Sequence, residues 1–423
     1  MIYIIISTVY LWVKRNSKVS RLLFLLLLIS SLAAYLVGRQ PQITFPVQIW
    51  TLYTGVLLAI LFRSFKDYNI GEGPHWQDIS PVSVEKYSKW VLVLGLLALI
   101  INVYLLTKVF SSLIAGAIAV QAFKNEGEAA DFYASLFPHR VMVFSYLFSP
   151  VAYLALPLHF YYLSKKEIKK SVLYLLVSLL IVLSGLVSLS RSATIQYVLV
   201  YGIFFVFISP LFSKKTRKRA ATIAIIFLVG IFAALNLVSG SRFSEYYYKN
   251  SLNDAILDEQ QSPLLFSTLD YFSEWEENGP KIMQKHDMEH TYWGIYNCSG
   301  IAAHIMPGQY QSVLAEMEKH LGDDHNSFHG LIARLLFDFG TIGSALFIFL
   351  ISVIIKKLGP VHGAVRFKTL LGLSSLLPVC ALFFAGNQFS ALHLDIGIVY
   401  CVVFYILVKR KVVRTNVMDV EKQ

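Results

Sequence analysis

Residues 90–110 read WVLVLGLLALIINVYLLTKVF, a run of 21 residues in which Lys108 is the only charged side chain. As a helix this run covers about 30 Å, the thickness of the hydrocarbon core of a bilayer. Lipid offers no water to satisfy backbone groups, so a chain crossing it closes its own hydrogen bonds as a helix. The stretch predicts a membrane span.

Comparable apolar runs occur at 2–13, 22–37, 43–62, 141–163, 171–190, 193–212, 220–239, 331–355, 369–386 and 391–408. Together they predict an all-α polytopic membrane protein with about eleven transmembrane helices. The first two runs are short for a span. Ile2–Val13 lacks a small-residue cleavage site and reads as a retained first span rather than a cleaved signal peptide. Ser111–Phe123 reads as a re-entrant or interfacial helix.

Composition agrees. The 423 residues are 56% hydrophobic and 15% charged, whereas soluble domains run near 25% charged. That composition speaks against an ordinary cytoplasmic enzyme. The net charge of +11 invites a nucleic-acid reading, but the basic residues lie between apolar runs rather than on a soluble basic face. No nucleic-acid partner is expected. Cys298, Cys380 and Cys401 form no CxxC-type pair and read as structural.

The basic residues carry orientation instead. Cytoplasmic loops collect Lys and Arg, and one set of alternate loops holds 26 of the 37 basic residues with only 7 of the 26 acids. This predicts an outside N-terminus and a cytoplasmic C-terminus. The opposite face carries the long polar segment 240–330, with 5 basic and 14 acidic residues and six of the eleven histidines. Its aromatic content suits a folded cap better than a disordered linker. The expected organisation is a bundle of about eight spans at 1–239, a large external cap at 240–330, and closing spans with a cytoplasmic tail at 331–423.

Several residues have the chemistry of a site. Arg191, in SLVSLSRSATIQYVL, sits between two spans with almost no polar linker. A charge at that depth either faces a cavity or anion, or reaches the headgroups from a short turn. Arg242, in NLVSGSRFSEYYY, lies where the eighth predicted span ends, and is either an anion ligand or an interfacial anchor. Two converging guanidinium groups would clamp a diphosphate through bidentate hydrogen bonds.

The richest stretch is DDHNSFHGLIARLLFDFGTIGSALFIF, from Asp323 to Phe349. On a helix His325 and His329 share one face, and Arg334 and Asp338 are spaced to pair. Histidine accepts protons near neutral pH. Gly340 and Gly343 would give a smooth face against a neighbouring span. His286 and His290 have the spacing of a metal pair, but no third ligand is specified and HExxH is absent. His139, His159, His393, Asp395 and the Asn387–Gln388 pair line a polar path or are satisfied bundle residues. No Walker motif, nucleotide fingerprint or GxSxG elbow appears, so chemistry on the external face would need a preactivated donor.

With SLSRSAT around Arg191, SGSR around Arg242 and the HN…DFGxxG stretch, the chain resembles the bacterial Wzy-type O-antigen and capsular repeat-unit polymerases, relatives of the O-antigen ligases. The resemblance implies a multi-span glycosyltransferase of the inner membrane with its large loop in the periplasm. It implies an undecaprenyl-diphosphate-linked glycan as donor and acceptor, membrane lipids and a chain-length regulator protein as partners, and neither cofactor nor metal. Arg191 and Arg242, with Arg334 as a third candidate, would hold the diphosphate, and His329 or His325 would be the base. His325 has the following asparagine of an HN dipeptide; His329 has the more ligase-like spacing to Asp338 and Gly340 and is preferred. Asp338, Gly340 and Gly343 would support the helix. A ligase, and a lipid-linked sugar flippase of another class, are the competing readings.

Overall fold

A computed structural model describes residues 2–13, 16–39, 44–71, 73–74, 76–114, 139–187, 192–218, 221–222, 263–285, 291–321, 329–386 and 391–410. The regular structure among them is helical, with only isolated β-bridges beside it.

The N-terminal helices are α1 (Ile2–Trp12), α2 (Lys18–Leu36), α3 (Phe45–Arg63) and α4 (Pro81–Ile114). Next come α5 (His139–Phe148), α6 (Ala152–Ser164), α7 (Ile168–Ser178), α8 (Leu180–Val187) and α9 (Ser192–Ile208). A polar group follows: α10 (Pro263–Lys285), α11 (Ser299–Ile305) and α12 (Pro307–Leu321). The chain closes with α13 (Gly330–Leu358), α14 (Phe367–Ala381) and α15 (Leu392–Val408).

Seven helical stretches among the described residues are long and apolar enough to cross a membrane: Lys18–Leu36, Phe45–Arg63, Pro81–Ser111, Val143–Ser164, Ile168–Val187, Ala193–Leu211 and Gly330–Leu358. The expected count of eleven is not reached among the described residues. The runs at 2–13, 369–386 and 391–408 form the shorter apolar helices α1, α14 and α15. The run at 220–239 falls almost wholly outside the described residues. The second run, short by apolar count, is long enough because its helix starts at Lys18. Of Ser111–Phe123, the described part continues α4 to Ile114 and the rest lies outside the described residues.

Large apolar side chains face outward along these helices, among them Ile29, Leu32, Ile100, Val103, Leu350 and Ile406. A soluble monomer does not expose apolar surface on that scale, and lipid is the solvent that satisfies it. The chain is a multi-pass membrane protein.

Aromatic packing and interhelical hydrogen bonds hold the bundle together. Phe62 of α3 meets Phe24 of α2 and Phe383 after α14 edge to face. The Asn102 side-chain amide of α4 donates to the Ser149 hydroxyl, and the Tyr174 hydroxyl of α7 donates to the Ser88 carbonyl. The Ser374 hydroxyl donates to the Tyr153 carbonyl over 2.5 Å. His159, deep in the bundle, has Nδ1 at 2.9 Å from both the carbonyl and the hydroxyl oxygen of Ser171. It is a satisfied bundle residue.

α10 to α12 form a cap docked on the bundle. α10 lies against α2, α3 and α13, and polar groups fix that contact. The Ser30 hydroxyl donates to the Phe272 carbonyl and accepts from Trp275 Nε1. Ser31 donates to the Glu276 carboxylate. Arg39, just past α2, bridges Asp270 at 2.7 Å and Glu277 at 3.1 Å. Burial works to lower the basicity of Arg39, yet the hydrogen bonds and charges of the two carboxylates raise it. A second small core, of Ile282, Tyr292, Tyr296, Val313, Met317 and Phe337, joins the cap to the start of α13.

Candidate functional site

The seam between cap and bundle forms around the first third of α13. This helix is interrupted at Gly340, where φ is +64° and ψ −172°, a conformation open essentially to glycine alone. Around the interruption, the Phe337 and Asp338 carbonyls accept hydrogen bonds from the backbone amides of Tyr292 and Trp293. Cap residues 292–297 therefore run along the broken helix and lock onto it.

Asp338 sits at this lock, fully buried. Its carboxylate accepts from the Tyr296 amide at 3.1 Å, and from the Asn297 amide and side-chain amide at 2.5 Å each. The Asn297 side chain also donates to the Arg334 carbonyl at 2.7 Å. The expected Arg334–Asp338 pair does not form, because cap donors occupy the carboxylate. The glycines are corrected as well. Gly340 breaks the helix rather than smoothing it, and the atoms closest to Gly343 belong to Phe339 of its own helix.

Arg334 is left with no ion-pair partner among the described residues. Its side chain lies against Gly386, where φ is +123° and a β-carbon would fall 3.0 Å from Nε. The guanidinium lies 5.5 Å from the centroid of the Tyr296 ring, within cation–π range. Its Nε is buried without a hydrogen-bond partner. The seam thus holds a cation whose charge the described protein groups leave uncompensated.

His329 precedes α13 rather than belonging to it, with φ −104° and ψ −10°. It is 1% exposed, packed edge-on to Phe337, and lines a cavity of about 10 Å³ with Tyr3, Thr54, Trp275 and Met283. That volume holds about one water molecule. His325, Arg191, Arg242, His286, His290, Asn387 and Gln388 lie outside the described residues, as does the side chain of His139. Of the expected set, His329, Arg334, Asp338, Gly340 and Gly343 are described, all on α13 or just before it.

His393 stacks on Tyr153, and Asp395 lies in the first turn of α15. Trp275 is core, bonded to Ser30, whereas Trp293 is 84% exposed.

Sequence reasoning missed Tyr296 and Asn297, which carry no motif, and Glu276. Glu276 is 7% exposed, and burial pushes its carboxyl up to about 7 against the opposing hydrogen bond of Ser31. A signal for it existed: Phe272, Trp275, Glu276, Gly279 and Met283 follow helical spacing, which puts an acid on the apolar face of α10.

The class these features define is a helical multi-pass membrane protein with a helical cap clamped onto its bundle. Within that class the chain matches no protein-family model, no curated protein and no solved structure.

Proposed function

We propose that the chain is a membrane glycosyltransferase that polymerises undecaprenyl-diphosphate-linked oligosaccharide repeat units into O-antigen or capsular polysaccharide on the external face of the bacterial inner membrane. Arg334 supports this reading best: a guanidinium with no carboxylate partner among the described residues, held in the seam where cap and span meet. A partly buried cation without an ion-pair partner among the described residues invites an anion, and a lipid-borne diphosphate is an anion that reaches such a place from the membrane.

In the proposed reaction an acceptor sugar hydroxyl attacks the anomeric carbon of the growing lipid-linked chain. A glycosidic bond forms, the bond from that carbon to the diphosphate breaks, and undecaprenyl diphosphate leaves. In-line attack inverts the anomeric centre. Arg334, with Arg191 and Arg242, stabilises the charge that develops on the leaving group. A histidine takes the hydroxyl proton. His329 is enclosed between α10 and α13, so a hydroxyl reaches it only when the cap moves; His325 is the second candidate.

Purified protein given lipid-linked repeat unit is expected to lengthen it. Arg334→Ala is expected to slow this by roughly 100-fold, and Arg334→Lys less, because lysine keeps the charge but loses the bidentate fork. Full-length chains from well-folded Arg191→Ala, Arg242→Ala and Arg334→Ala variants would sink the clamp. Transfer of finished glycan to a lipid core without any lengthening would make the protein a ligase.

A further inference from the structure

An apolar edge of the cap has no protein partner among the described residues. Trp293 is 84% exposed and Ile305 71%, with Ile301 and Met306 exposed beside Ile305. Two contacts set the height of this edge. The first is the Trp293 amide, which donates to the Asp338 carbonyl over 3.0 Å, just before the break at Gly340. The α13 residues after the break, 341–358, cover about 27 Å as a helix, close to the hydrocarbon thickness. They end at Lys356 and Lys357, which suits the opposite boundary. The break therefore lies where this span leaves the lipid, and Ile342, just beyond it, is 86% exposed.

The second contact is independent. A β-carbon on Gly300, in the first turn of α11, would fall 2.7 Å from the Leu392 amide, the first residue of α15. That apolar helix has 17 residues, about 26 Å, so Leu392 also marks the end of a membrane segment. The two anchors place residues 293–306 at one level, the water–lipid boundary, where tryptophan is favoured.

We infer that the edge formed by Trp293, Ile301, Ile305 and Met306 is a membrane-contact surface, seated among the headgroups and upper acyl chains of the bilayer rather than held in water. Its partner is lipid, continuous with the lipid that covers Ile342 and the outer face of α13.

The test uses full-length protein in phosphatidylcholine vesicles carrying bromine high or low on the acyl chains. The Trp293 signal is the difference between wild type and Trp293→Phe, because five other tryptophans contribute. It is expected to be quenched more by shallow than by deep bromine, and weakly by aqueous acrylamide. A second probe is Ile305→Cys in a Cys298→Ser background, labelled with an environment-sensitive nitrobenzoxadiazole dye. Its emission is expected at the shorter wavelengths of a lipid setting. Water-like behaviour at either position, acrylamide-quenched Trp293 or red-shifted dye, overturns the inference.

Discussion

Glu276 shows how one side chain couples the cap to its surroundings. Its carboxyl is buried between α10 and α2, accepts from Ser31, and titrates near 7 instead of its ordinary 4.5. Raising a carboxyl in the fold means the folded state holds its proton more tightly than the unfolded chain. The associated stability is fully present below about 4.5 and is lost as pH rises through 7. The difference corresponds to roughly 3 kcal/mol across that window. Glu276→Gln, neutral at every pH, is expected to flatten the fall in melting temperature between pH 5 and 8. An unchanged pH dependence in the variant would mean that Glu276 is not the titrating group. Asp338 is buried as well, and is met by three donors from the cap where Glu276 has the Ser31 hydroxyl. From sequence Asp338 was a partner for Arg334 and Glu276 carried no motif; their tertiary environments distinguish them.

Among elements, α13 carries the most consequence. It reads as one apolar run with Gly340 and Gly343 as a smooth face, and the i, i+4 pattern of Arg334 and Asp338 favours a straight helix. The interruption at Gly340 instead turns two carbonyls toward Tyr292 and Trp293 and leaves Arg334 on the cap side. Beyond it, the Tyr53 hydroxyl of α3 donates to the Thr341 carbonyl over 2.5 Å, which secures the restart of the helix. Gly340→Ala puts a β-carbon on a residue at φ +64°. The expected result is a loss of about 1–3 kcal/mol, read as a lower melting temperature in detergent. It should also speed hydrogen exchange at Tyr292 and Trp293, whose acceptors would move. A variant as stable as wild type, with those two amides equally protected, would show that the break is not needed.

At the scale of the molecule, the cap is tied to the bundle by apolar contact and by the Arg39 fork to Asp270 and Glu277. Arg39 is partly buried, so salt screens this link less than it would an exposed pair. Arg39→Ala removes the cation from the buried Asp270, whereas Glu277 keeps its pair with Lys281. Amide exchange in 263–285 is then expected to rise about tenfold, with little change in α6 and α7 on the far side of the bundle. Equal acceleration everywhere would mean that Arg39 supports global folding rather than cap docking. If the cap edge sits in lipid as inferred, its release would also open the seam at Arg334 toward the membrane.

Much of the fold was legible from composition and run length, because a segment in lipid is constrained to be long, apolar and helical whatever surrounds it. Run length also located the polar segment between the eighth and ninth predicted spans and marked the stretch containing His329, Arg334 and Asp338. The count of eleven spans was less secure: three runs became helices of 11 to 17 residues, since a run's apolar length does not say where its helix starts and stops. Helical spacing misassigned the partners inside the site. Asp338 belongs to Tyr296 and Asn297, some forty residues earlier in the chain, and no local pattern encodes a contact at that separation. Whether a charge stays uncompensated, as at Arg334, or a histidine is enclosed, as at His329, depends on which distant groups packing brings alongside. Local propensity and hydropathy act over one helix turn or one span, whereas hydrogen-bond competition and burial are properties of the assembled seam.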